Sequence, residues 1–186
     1  VRNEAGNIPA LFRRMPELGG GTEMVFVEGH SADGSYAAIQ REIETNPGRR
    51  GALYRQPGTG KGDAVRYGFA QANGEILMIL DADLSVSPED LIRFYEAVLA
   101  GGGELINGVR LTYPVEGKAM PFLNLIGNKI FSLVLTWMIG QPIKDTLCGT
   151  KALWKSDYLR IIANRKEISE SDPFGDFDLI LGAAKL

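Results

Sequence analysis

The chain has 186 residues, 45% of them apolar and 23% charged, with a formal net charge of -3. That composition suits one globular domain with a sizeable core, and it leaves no basic footprint for nucleic acid. One cysteine and one histidine exclude an internal disulfide framework and any multi-cysteine or multi-histidine metal site.

In chain order, Val1 to Gly6 reads as the tail of a strand and a loop. Asn7 is placed to cap a helix running through Pro9 to about Leu18, ended by Gly19-Gly20-Gly21. Met24-Val25-Phe26-Val27 is an apolar strand closing on Glu28-Gly29. In the turn His30 to Ser35, Ser31 or Asp33 can cap the next helix, roughly Tyr36 to Glu44, which Asn46-Pro47-Gly48 breaks. Leu53-Tyr54-Arg55 is a weak strand. Gln56-Pro57-Gly58-Thr59-Gly60-Lys61-Gly62 is a glycine-rich turn before a helix carrying Val65 and Phe69, stopped by Asn73-Gly74. It is not a P-loop, because Gly62 follows the Gly-Lys pair where Ser or Thr is needed. It reads either as a tight loop or as backbone and Lys61 lining a nucleotide.

Gly74-Glu75-Ile76-Leu77-Met78-Ile79-Leu80-Asp81-Ala82-Asp83 follows, an apolar run that stops at two carboxylates. It reads as a buried strand of a parallel sheet. Two acids at i, i+2 repel each other unless a cation lies between them, and Mg²⁺ is the natural oxygen-seeking partner. The alternative is solvated turn acids. Ser87-Pro88-Glu89-Asp90 starts a further helix, ending at Gly101-Gly102-Gly103. Leu105 to Val109 is another strand with Arg110 at its tip. Alternating strands and helices argue a doubly wound α/β fold. In such sheets ligands bind beyond the strands' carboxyl ends, and Glu28, Asp81, Asp83 and Arg110 all fall there. Acids, a glycine-rich turn and an arginine together suit a phosphorylated ligand. The chain starts without Met and stops at Leu186 inside a helical pattern, with no signal peptide, so it reads as a fragment truncated at both ends.

The succession Asn3-Glu4, Glu28-Gly-His-Ser31-Ala-Asp33-Gly34, Gly60-Lys61-Gly62, Asp81-Ala82-Asp83 and Asp145-Thr-Leu-Cys-Gly149-Thr-Lys151 resembles family 2 glycosyltransferases. It is most similar to the dolichol-phosphate mannosyltransferase and polyprenyl-phosphate sugar transferase group. The resemblance covers nearly the whole chain. It implies a GT-A, Rossmann-like three-layer fold with a mainly parallel central sheet, in one catalytic domain over 1–186. The nucleotide-binding part would be about 1–110 and the acceptor part about 111–186. It also implies a UDP- or GDP-sugar donor, Mg²⁺ or Mn²⁺, and inversion at the anomeric carbon. Carried over, Asn3 and Glu4 lie in the nucleotide-binding first loop, and Asp33 and Lys61, with Gly62, face the nucleoside or shape its loop. Asp81 lies near ribose and metal with Ala82 beside it, Asp83 binds the metal, and Arg110 faces the acceptor or a phosphate. Two departures stand out. Glu28-Gly29 replaces the family's paired aspartates, which bears on base and ribose contacts. Ser85 replaces a glutamine, so the metal's third protein ligand becomes a hydroxyl or a water.

For catalysis, Asp178 aligns best with the family's acid before an apolar helix, Asp176 is the second choice, and Asp145 is the other candidate. The alternative for the acids of 172–178 is complementing the helix dipole. Met120 to Ile139 is apolar nearly all round in its second half, but its uncharged run of about ten residues is too short to span a bilayer. It reads as a buried core helix or as an interfacial helix meeting a lipid acceptor, with Trp137 at headgroup level. The expected activity is hexosyl transfer to a polyprenyl phosphate at the cytoplasmic membrane face. The alternatives are a soluble or polysaccharide hydroxyl acceptor, and a non-catalytic nucleotide-sugar-binding scaffold.

Overall fold

The computed structural model describes residues 1–109, 122–141, 143, 145, 148–164 and 176–185. Strand β1 (Glu23–Glu28) pairs in parallel with β2 (Arg50–Arg55), from Glu23 opposite Arg50 to Glu28 opposite Arg55. Strands β3 (Ile76–Ile79), β4 (Leu105–Asn107) and β5 (Lys151–Trp154) form a second group, with β5 between the others and antiparallel to both. The helices are α1 (Ile8–Arg14), α2 (Ser35–Thr45), α3 (Lys61–Gln71), α4 (Leu91–Leu99), α5 (Phe122–Ile139), α6 (Lys155–Ala163) and α7 (Asp176–Lys185), with a 3₁₀ turn at Pro88–Asp90 before α4.

The strands separate two apolar clusters. Met24 and Phe26 of β1 join Ile8, Leu11 and Phe12 of α1 and Ile39 of α2, and the Phe12 and Phe26 rings stack at 5.3 Å. The opposite face of β1 meets α3, where Gly68 lets Val27 and Val25 approach the helix backbone. The second cluster joins Phe69 of α3, Leu77 and Ile79 of β3, Leu153 of β5, Tyr158 and Ile161 of α6 and Leu179 of α7. Alternation along β1 therefore puts helices on both faces, as a period of two requires.

Two details differ from the expectations. The first helix ends at Arg14 rather than near Leu18, because Pro16 drives Met15 out of the helical region, to φ -61°, ψ 120°. Strand β5, which the sequence pattern did not reveal, runs antiparallel between β3 and β4, while β1 and β2 pair in parallel as a separate group.

Candidate active site

The segment after β3 explains how two acids come to be presented. Leu80, Ala82 and Leu84 pack against the α1–β1 cluster, so the alternating Asp81 and Asp83 point away from it. Leu84 takes a positive φ of 57° and turns the chain. The Ser85 N–H donates to Asp83 Oδ1 at 2.9 Å. Asp83 is otherwise exposed, and its second oxygen accepts no hydrogen bond among the described residues.

Asp81 lies deeper and already has a cation. Lys61, the first residue of α3, reaches it with Nζ 2.7 Å from Oδ1 and 3.0 Å from Oδ2. The two side chains are 31% and 29% exposed. Gly149, just before β5, crosses this pair so closely that a Cβ there would collide with Asp81 Oδ2 and Lys61 Nζ. The preceding turn is self-contained: Asp63 Oδ2 accepts from Gly58 N–H and Gln56 Nε2, each at 3.0 Å, and Gln56 Nε2 also donates to Gly60 O at 2.8 Å. Gly62 is buried in the first turn of α3.

A second cluster forms where the first loop meets the turn after β1. Asn3 N–H donates to Ser31 Oγ, Ala32 N–H to Asn3 Oδ1, Glu4 N–H to Ser35 Oγ and Ala5 N–H to Asp33 Oδ2, all at 2.9–3.0 Å. Asp33 Oδ1 also accepts from Ser35 N–H and its hydroxyl. The hydroxyl and N–H of Ser35 and the N–H of Ala5 hold the Asp33 carboxyl below its usual pKa. Both carboxylate oxygens of Asp33 thus shape the loop. Glu4 also accepts from Asn7 Nδ2 at 2.6 Å.

Glu28 ends β1 only 1% exposed. Its Oε1 accepts the Ser31 N–H at 2.5 Å. Its buried Oε2 accepts no hydrogen bond among the described residues; Arg55 Nη1 stands 3.5 Å away, and that guanidinium lies 4.3 Å above the Tyr36 ring. Burial alone would raise the Glu28 carboxyl, but the Ser31 N–H and hydroxyl, Arg55 and the His30 N–H outweigh it and hold the pKa below the ordinary value. Glu28 is a buried anion held between Ser31 and Arg55.

The structure therefore brings Lys61, Asp81 and Gly149 into contact, and knits Asn3, Glu4, Asp33 and, through Ser31, Glu28 into an adjoining loop cluster. Asp145 is buried, and its backbone oxygen accepts from Asn107 Nδ2 at 2.7 Å. Asp176 and Asp178 fall in the first turn of α7, which packs on α6; their side chains, and all of Arg110, lie outside the described residues.

The family model for glycosyl transferase family 2 matches residues 1–162. The chain belongs to that family.

Among curated relatives, it is 27% identical over 176 residues to the polyprenol monophosphomannose synthase of Mycolicibacterium smegmatis, covering 93% of this chain and 64% of that protein. It is 28% identical to the dolichol-phosphate mannosyltransferase of Pyrococcus furiosus, over 82% of this chain and 44% of that one. It is 32% identical over 114 residues to the undecaprenyl-phosphate 4-deoxy-4-formamido-L-arabinose transferase of Pseudomonas aeruginosa, over 59% of this chain and 33% of that one. The chain thus spans a third to two thirds of these relatives' lengths. Glucosyl-3-phosphoglycerate synthase from Mycobacterium tuberculosis, solved with Mn²⁺, UDP-glucose and glycerol 3-phosphate, superimposes with a TM-score of 0.64 at 17% identity, over 86% of this chain and 56% of that one. That likeness shows the GT-A fold.

Sequence reasoning about this family 2 chain missed several contacts. Arg14 at the end of α1 grips the turn after the acids: Nε and Nη2 each donate to Glu89 at 2.8 Å, and Nη2 donates to Ser87 Oγ at 2.6 Å. The Lys61–Asp81 and Arg55–Glu28 pairs were also not foreseen. No local pattern reports them, because their partners are far apart in sequence.

Proposed function

We propose that this chain is the core of a metal-dependent inverting glycosyltransferase that moves a sugar from a nucleotide-diphosphate sugar to a polyprenyl phosphate at the cytoplasmic face of a membrane. The observation that carries the donor reading is the pair Asp81 and Asp83, turned out from the core by Leu80, Ala82 and Leu84 beneath them. Mg²⁺ or Mn²⁺ fits this donor set: such ions take carboxylate oxygens and complete their shell with water and substrate phosphates. Asp83 offers a free, exposed oxygen, and the described residues contain no group of three or more His, Cys, Asp or Glu that would form an all-protein cage.

Residues 1–110 form the nucleotide part in this reading. Asp83 holds the metal and Asp81 stands by the ribose and metal. The buried Glu28, held by Ser31 and facing Arg55, fixes the floor of the base pocket, and Asn3, Glu4 and Asp33 set its walls. The metal, when bound, neutralises charge gathering on the departing diphosphate. A phosphate monoester acceptor has a second pKa of about 6 and is already an anionic nucleophile at neutral pH. One of its oxygens bonds to the anomeric carbon as the bond to the diphosphate breaks, with no proton to remove. Arg110 is suited to position it. Asp178, or Asp176, is the acid assigned to face the acceptor, and the buried Asp145 is better suited to hold the turn before Gly149.

The acceptor reading rests on residues 111–186, and chiefly on α5. Ile130, Leu133, Val134, Trp137 and Met138 are all exposed, and their spacing puts them on one helical face. No helix among the described residues is long and apolar enough to cross a membrane, so this face suits a helix lying in the headgroup layer. The curated relatives named for polyprenol, dolichol and undecaprenyl-phosphate sugar transfer support the same acceptor class. The test is transfer of labelled sugar from UDP- or GDP-sugars into solvent-extractable lipid by the intact protein with polyprenyl phosphate and Mn²⁺. Metal-dependent labelling of lipid is expected. Labelling only of soluble hydroxyl acceptors would overturn the lipid reading.

A further inference from the structure

The first acid of the pair is not available as an empty ligand. Both oxygens of Asp81 face one ammonium, Lys61 Nζ, at 2.7 and 3.0 Å. The contact is more than two-thirds buried, and Gly149 lies over it with no room for a Cβ. Asp83, two residues on, is exposed with an uncommitted oxygen. The two acids therefore meet an incoming cation on different terms.

A free divalent cation gains little from Asp81 in this arrangement. It must displace the ammonium, leaving Lys61 uncompensated in a covered site, or sit beside it and be repelled. A metal–diphosphate complex is different, because it brings phosphate oxygens to which the ammonium can transfer as a charge-assisted donor. We propose that Lys61 is an exchangeable counter-ion: it reserves Asp81 until a diphosphate arrives, then passes from the carboxylate to the phosphates. The site is thereby selective for the metal–nucleoside diphosphate complex over the metal alone. This inference rests on the donor-site reading above and adds to it an order of assembly and a residue that imposes it.

Lysine suits the task. Its ammonium is a compact charge on a flexible stem that can swing between two partners without the fixed fork geometry of arginine. Its position as the first residue of α3, after Gly60 at φ 84°, places its backbone at the mouth of the glycine-rich turn.

The experiment measures binding, not turnover. Mn²⁺ alone, and Mn²⁺ with UDP or GDP, are titrated into the intact protein by electron paramagnetic resonance and calorimetry, for wild type, Lys61→Met and Lys61→Arg. Lys61→Met is expected to bind free Mn²⁺ about tenfold more tightly and the Mn²⁺–nucleotide complex at least about tenfold more weakly, shifts of ~1.4 kcal/mol in opposite directions. Lys61→Arg keeps the charge and is expected to retain weak binding of free Mn²⁺. A merely structural lysine would weaken both affinities together, and that result, or unchanged free-Mn²⁺ affinity in Lys61→Met, overturns the proposal. If Lys61→Met does not fold, Lys61→Gln carries the same expectation. Failure of the donor-site reading looks different: wild type would then bind no Mn²⁺–nucleotide complex, whatever the free-metal measurements give.

Discussion

Replacing Trp137 and Leu133 by aspartate should detach the protein from membranes without unfolding it. Trp137 is 85% exposed and Leu133 65%, so the fold uses little of either side chain. An aromatic side chain carries about 150–250 Å², and at roughly 25 cal/mol per Å² the exposed part of Trp137 offers ~3–5 kcal/mol on full burial. Insertion to half depth in the headgroup layer recovers about 2 kcal/mol of it, and Leu133 adds about 1 kcal/mol on the same scale. The double substitution should therefore lower the partition coefficient onto anionic vesicles by about 100-fold, since ~1.4 kcal/mol is tenfold. Co-sedimentation with vesicles reads this directly, and thermal melting serves as the control. Vesicle binding unchanged within about threefold would refute the interfacial role of α5. A melting temperature lowered by several degrees would mean that these side chains support the fold after all.

Three further outcomes are expected. Gly149→Ala puts a methyl where Asp81 Oδ2 and Lys61 Nζ stand, so nucleotide affinity should fall by at least about tenfold while circular dichroism keeps its native form; wild-type calorimetry would contradict the packing. Glu28→Gln removes the charge facing Arg55 and turns one oxygen into a donor, so the side chain can no longer both accept from Ser31 and pair with Arg55, and the loop that walls the base loosens. Nucleotide binding should weaken by about tenfold, and an unchanged titration would remove Glu28 from the nucleotide site. The bonds from Arg14, then Ser87, hold the Glu89 carboxyl down to about 2 from an ordinary 4.5. A depressed carboxyl stabilises the fold above its unfolded pKa, and that contribution disappears as pH falls through the folded value. Wild type should therefore melt above Glu89→Gln at about pH 6, with the gap closing between about pH 4.5 and 2; a gap that persists at the acid end would remove the carboxylate from the account.

The parts of the fold visible in the sequence are those where local chemistry and tertiary packing agree. The apolar run into Asp81-Ala82-Asp83 is such a place, since its alternation seats Leu80, Ala82 and Leu84 on the core. Asn46-Pro47-Gly48 and Asn73-Gly74 end helices by backbone rules that need no tertiary partner. Strand β5 escaped because Lys151 opens it, fully buried, with Nζ donating to Cys148 O at 2.6 Å. A lysine at the head of a four-residue segment carries no strand signal, and pairing between β3 and β4 makes it a strand. The same reason hides the contacts of the site. Arg14 and Glu89 lie 75 residues apart, and Lys61 and Asp81 lie 20 apart, so chain order named the latter two residues without revealing that they neutralise each other. The short motifs of the family supplied candidate residues; the fold decides which oxygens among them remain free.

The central claim, a metal-dependent donor site built on Asp81 and Asp83, is tested most directly by calorimetry of UDP, GDP and their sugars with and without Mn²⁺, on wild type and Asp83→Ala. The account predicts that one nucleotide binds in a Mn²⁺-dependent manner and that Asp83→Ala abolishes the binding while its melting temperature is unchanged. Binding that persists in Asp83→Ala, or that is indifferent to Mn²⁺ in the wild type, would contradict it.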